Sequence, residues 1–105
     1  LSSPVPIPVY RDFIYNAAYR TRTPLAALVL AVYFVRKLHD RHPLVAGTHV
    51  TPHRVMLAAI LLACKILYDD TYSNRTWVHV SQRLFGLEEV NRMEWEMLTY
   101  LDFGL

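Results

Sequence analysis

Two uninterrupted apolar runs decide most of what this chain can fold into. Every residue from Leu25 to Val35 is apolar, and so is every residue from Val55 to Cys64. Neither reaches the roughly 18 residues that a bilayer-spanning helix needs, so both read as helices buried in a globular domain. Thr23-Pro24 stands before the first run and Thr51-Pro52 before the second. A hydroxyl acceptor followed by a residue without an N–H has the chemistry of an N-cap and a first helical position. Helices are therefore predicted from Pro24 to about Asp40, where His42-Pro43 and Gly47 break the pattern, and from Pro52 to about Tyr68. Being apolar nearly all round, both are expected at the centre of a bundle, with other helices covering them.

The remaining segments supply those covers. Leu1 to Pro8 alternates proline with aliphatic residues and predicts an extended arm, residues 1–8, ahead of one domain, residues 9–105. From Val9 to about Arg20, the three-four spacing of Tyr10, Phe13, Ile14, Ala17 and Ala18 marks one face of a first helix. After the turn-rich Asp69-Asp70-Thr71-Tyr72-Ser73-Asn74, Trp77, Val80 and Leu84 mark a short fourth helix stopping at Gly86. Val90, Met93, Met97 and Leu101 mark a fifth. The fold class is all-α, with five helices, two of them central, and with Leu28, Val32, Leu57, Leu61 and Trp77 buried. Trp77 and Trp95 are expected as core or interface anchors.

Composition narrows the function. The chain has 105 residues, 53% of them hydrophobic, enough for one core without disulfides or metals. Its single cysteine, Cys64, lies inside an apolar run, which suits a reducing compartment, nucleus or cytoplasm. No charged segment followed by an apolar stretch opens the chain, so no signal peptide is expected. A formal charge of +2, with basic residues spread along the chain, gives no footprint for nucleic acid, and neither apolar run suits a membrane.

Catalysis has little to stand on. The three glycines form no phosphate loop, and no nucleophile elbow appears. His49 and His53 are four apart, but Thr51-Pro52 starts a helix between them and no Cys or carboxylate cluster completes a metal site. Surface or capping roles are expected of the histidines. No catalytic residue, metal, cofactor or small-molecule substrate is expected.

Two charges sit where periodicity calls for apolar residues. Lys65 falls four residues after Leu61 at the end of the third helix's apolar run, and Glu94 falls four after Val90 and three before Met97. A charge held there costs several kcal/mol if it is desolvated without a partner. Two readings satisfy that constraint: an intramolecular pair at the surface, which periodicity alone favours, or an edge facing a partner protein.

A family resemblance bears on that choice. Leu61-Leu62-Ala63-Cys64-Lys65-Ile66-Leu67-Tyr68-Asp69-Asp70 resembles the cyclin-box signature "LLASKFxDD". Tyr72-Ser73-Asn74-Arg75-Thr76-Trp77, then Leu87 to Glu94, then Leu101-Asp102-Phe103, resemble the "YSNxxW…ELNxME…LDFxL" pattern of fungal Pho/Pcl-type cyclins. The resemblance runs from about Thr23 to Leu105. It implies a five-helix cyclin box that docks on the small lobe and regulatory helix of a cyclin-dependent protein kinase and activates it. It also implies that Lys65 and Glu94 hydrogen-bond the kinase backbone. Val35 replaces the aspartate of the family's "YIDRL", so the internal ion pair that aspartate makes cannot form. Leu87 stands where the group often has Ser or Thr, so a capping hydroxyl is missing. The alternative from another class is a cyclin-fold transcription module binding nucleic acid or a polymerase factor.

Overall fold

The computed structural model describes residues 7–41, 51–68 and 72–101, and these form five α-helices. They are α1 (Tyr10–Thr21), α2 (Leu25–Arg41), α3 (Thr51–Leu67), α4 (Asn74–Val80) and α5 (Leu87–Tyr100). The start of the arm, the Pro43 and Gly47 breakers, His42, His49, Asp69-Asp70 and the residues after Leu101 lie outside the described residues.

α3 is the axis of the domain. Every residue from Leu57 to Cys64 is buried, which a helix achieves only when neighbours cover all its sides. α2 and α1 pack on it, α5 packs on it from another side, and α4 ties α5 to α1. Ala58, Ala59 and Ala63 keep its surface thin, while Ile60, Leu61 and Leu62 fill the space between helices. The stripe read for α5 is buried throughout: Val90, Met93, Met97 and Leu101 are each at most 3% exposed.

The expectation for α2 needs correction. Its buried face is Ala27, Ala31 and Phe34, spaced i, i+4 and i+7, and it packs chiefly on α3. Its outer face is not covered: Val32, expected in the core, is 57% exposed and Leu28 is only partly buried. Leu57, Leu61 and Trp77 are enclosed as expected. An all-apolar run has no polar side to show which way it faces, so its composition overstated its burial.

The helix ends differ from the expected caps in instructive ways. α1 closes with the Arg22 N–H on the Tyr19 carbonyl (3.2 Å) and the Thr23 N–H on the Ala18 carbonyl (3.0 Å), with Arg22 left-handed at φ 51°. The Thr23 hydroxyl does not cap α2. It meets the Thr21 hydroxyl at 2.5 Å and the Cys64 thiol at 3.9 Å, while the Pro24 carbonyl begins α2 by accepting from Leu28. Thr51 already belongs to α3. α4 ends at Val80, not at Gly86, and its C-terminus is closed by Gln82 and Arg83, both left-handed. Gly86 instead precedes α5 with an extended backbone, and no side chain caps that helix.

Phe13 and Ala17 are fully buried although no aspartate stands at Val35, so apolar contact with α3 and α4 fixes the first helix. His53 is buried, not at the surface. Its Nε2 meets the Pro8 carbonyl at 2.8 Å, and the rings of Tyr10 and Phe13 approach it edge-on at 5.4 and 5.0 Å. Trp95, in contrast, is 65% exposed.

Candidate functional site

The end of α3, the start of α4 and the middle of α5 meet at one polar cluster. Lys65 lies in the last turn of α3, where a cation also complements the helix dipole. Its ammonium donates to Glu94 Oε1 and Oε2 at 2.9 and 3.0 Å and to Asn74 Oδ1 at 2.8 Å. The Asn74 amide donates in turn to Glu94 Oε1 at 2.9 Å and to Asn91 Oδ1 at 2.7 Å. The two charges that periodicity found out of place therefore satisfy each other. Neither is left unpaired beside the core.

The cluster is half open. The side chains of Lys65 and Glu94 are 32% and 19% exposed, so the pair stabilises the fold modestly, by under about 1 kcal/mol. Its hydrogen-bonding capacity is unevenly used. Among the described residues the three ammonium protons all have partners, whereas Glu94 Oε2 accepts only from Lys65 and the exposed Asn91 amide donates to nothing. What remains among the described residues is an acceptor on a partly exposed side chain and a donor group on an exposed one. The cluster's neighbours in sequence include exposed apolar side chains: Leu67 and Ile66 follow Lys65, Trp95 follows Glu94 and Tyr72 precedes Asn74, at 43, 50, 65 and 46% exposure. A polar centre accompanied by exposed aromatic and aliphatic side chains has the anatomy of a protein-binding surface.

Sequence reading singled out Lys65 and Glu94 but neither asparagine. Asn74 stood in the turn-rich segment and in the "YSN" part of the family pattern, and Asn91 in its "ELNxME" part, but neither was given a role. A second link between α3 and α5 was also missed. Arg54 pairs with Glu89 and, at 2.7 Å, with Glu96, holding the other end of the α3/α5 contact. Among the described residues no group of three or more His, Cys, Asp or Glu side chains could hold a metal ion. Cys64 is buried, and desolvation pushes its thiol above the usual range, a shift partly opposed by its contact with the Thr23 hydroxyl.

Comparison with known proteins defines the class. The family model for the cyclin N-terminal domain matches residues 8–105, and the chain belongs to the cyclin family. Among its relatives are two proteins of Saccharomyces cerevisiae. PHO85 cyclin-9 is 32% identical over 94 residues, 89% of this chain and 31% of that protein. PHO85 cyclin-2 is 31% identical over 102 residues, 96% of this chain and 33% of that protein. Cyclin-U3-1 of Arabidopsis thaliana is 32% identical over 98 residues, 91% of this chain and 41% of that protein. The likeness to Pho/Pcl-type cyclins read from the motifs is thus present along nearly the whole chain, which spans about a third of the length of the yeast relatives. No solved structure gives a significant match.

Proposed function

We propose that this chain binds and activates a cyclin-dependent protein kinase, of the kind named in its PHO85 cyclin relatives, and performs no chemistry itself. The observation that carries the reading is the Lys65–Glu94–Asn74 cluster at the α3/α4/α5 junction, pre-ordered within the chain and with exposed apolar residues beside its members in sequence. A kinase helix laid across this junction would bury Ile66 and Trp95 and bring a backbone N–H to Glu94 Oε2, while the Lys65 ammonium trades one of its internal hydrogen bonds for a kinase backbone carbonyl. Activation requires the kinase regulatory helix to turn until its glutamate meets the ATP-binding lysine, and a cyclin favours that state by contacts it makes only there. The internal pair and the kinase-binding role are compatible: the pair holds both side chains in place before the partner arrives.

The names of the relatives favour this reading over the transcription module, and a nuclear or cytoplasmic location goes with it. The test is co-purification with a Pho85-type kinase and stimulation of its activity by the purified chain. Neither binding nor stimulation, with the chain folded, would sink the proposal. Salt-sensitive binding to nucleic acid without kinase binding would favour the alternative.

A further inference from the structure

On the side of the domain formed by α1 and α2, a second surface has the shape and charge of a docking groove. α1 and α2 both rest on α3 but pack little on each other. Between them lies a cleft of about 380 Å³ lined by Ile14, Tyr15 and Ala18 of α1, Leu28 of α2 and Met56 of α3, with Arg11 on its wall. The apolar surface continues along α2. Leu25, Val29 and Val32 share a helix face with Leu28 and are 75, 61 and 57% exposed. Such a continuous apolar stripe marks an interaction site, unlike isolated surface leucines.

Charge indicates what kind of partner fits. From Tyr10 to Arg41, six Lys and Arg stand against two acids, a formal +4, whereas from Thr51 to Leu105 five stand against seven, a formal −2. The acidic side chains Glu89, Glu94 and Glu96 are paired to Arg54 or Lys65 on the far side of α3. Arg11 on the cleft wall, Arg22 at the α1–α2 connection and Arg36, one turn beyond Val32 on the same face, are exposed and have no ion-pair partner among the described residues.

We propose that this groove binds an acidic amphipathic helix of a partner protein, apolar side chains seated between α1 and α2 and carboxylates on Arg11, Arg22 and Arg36. Helix-in-groove recognition needs this arrangement of a concave apolar floor and a charged rim. A second copy of the chain is disfavoured, because two-fold pairing of this face would bring the arginines of both copies together. A flat lipid surface would leave the cleft unfilled. The groove lies apart from the α3/α4/α5 cluster, so the inference does not rest on the kinase reading.

The probe is a library of short random peptides displayed on phage and selected on the purified chain. Enrichment of sequences with apolar residues at i, i+3 or i+4 and i+7 and with Asp or Glu between them is expected. The anisotropy of one labelled selected peptide should show affinity at least about tenfold weaker for Arg11→Glu/Arg36→Glu and for Val32→Glu, and nearly unchanged for Lys65→Ala. All three altered groove positions are at the surface, so melting should confirm that the variants fold, and kinase co-purification should persist in them. Selection of basic or uncharged peptides, no selection at all, or affinity indifferent to the groove variants overturns the proposal. So does a dimer in sedimentation that Val32→Glu dissociates, or pelleting with phosphatidylserine vesicles that Val32→Glu abolishes.

Discussion

The Lys65 ammonium grips both carboxylate oxygens of Glu94, at 2.9 and 3.0 Å, and so joins the last turn of α3 to the middle of α5. The pair is partly exposed and supported by Asn74, which places its two residues at the surface without leaving either charge alone. Folding and binding should therefore depend on it to different degrees.

Lys65→Ala and Glu94→Ala should each cost under about 1 kcal/mol of stability, because water replaces much of what a partly exposed pair provides. Kinase affinity should fall at least tenfold for either, since truncation leaves kinase backbone groups unpaired in a desolvated contact costing about 2 kcal/mol. Thermal melting and titration calorimetry on both single variants and the double variant check this, and the double variant should bind little worse than the weaker single one. Unchanged affinity would remove both residues from the binding surface.

Position along the helix axis matters less than which side of the bundle a leucine or valine faces. Leu61 is fully enclosed in α3, and Leu61→Ala should cost about 2–5 kcal/mol through lost burial and an unfilled cavity. Val32 is apolar and equally central in its own run, yet Val32→Ala should stay within about 0.5 kcal/mol because the side chain is mostly in water. Urea denaturation of the two variants should separate them clearly. Similar losses for both would mean that α2 is covered on its outer side.

That contrast also shows what could be read from residues alone. α5 mixes apolar and charged positions, so its stripe of Val90, Met93, Met97 and Leu101 announced its buried face. α3 was equally legible, because complete enclosure and an all-apolar run agree. α2 has the same kind of run but, among the described residues, packs chiefly on one neighbour, α3, and nothing in its composition records which side that is. Asn74 and Asn91 contact each other across 17 residues of sequence, a meeting that only the packing of α4 on α5 creates. The buried His53 was missed for a related reason: the Pro8 carbonyl and the rings of Tyr10 and Phe13 that enclose it come from α1 and the segment before it.

Cys64 should be inert in the folded chain. It is 8% exposed, and burial holds its thiol above the usual range, so little thiolate is available at neutral pH. Reaction with a thiol-specific chromogenic disulfide should be slow until urea unfolds the domain. Because the folded state keeps the proton that the unfolded state releases, the sign of the linkage is fixed. Stability is unaffected by this group at low and neutral pH, and falls as pH rises above the unfolded thiol value of about 8.5. Cys64→Ser should remove that alkaline loss, at the cost of a lower overall melting point. Rapid labelling of the folded chain at neutral pH would contradict the burial.

The turn after α4 stores strain that a single substitution should release. Gln82 and Arg83 hold φ of 58° and 61°, where side chains crowd the backbone, and both are exposed, so neither contributes core packing in return. The geometry is enforced by the closure of α4, in which the Gln82 N–H reaches the His79 carbonyl at 3.0 Å and the Arg83 N–H reaches the Val78 carbonyl at 3.2 Å. Glycine occupies this region without crowding, so Gln82→Gly should raise stability by about 0.5–1 kcal/mol after allowing for the extra freedom glycine gives the unfolded chain. For a domain of this size that corresponds to a melting shift of a few degrees, of order 4 °C. The matched control is Arg36→Gly, an exposed site in the interior of α2, where the same substitution should cost about 1 kcal/mol. Calorimetry of the two variants should give shifts of opposite sign. A loss at both sites would mean that the backbone at Gln82 is not left-handed in solution.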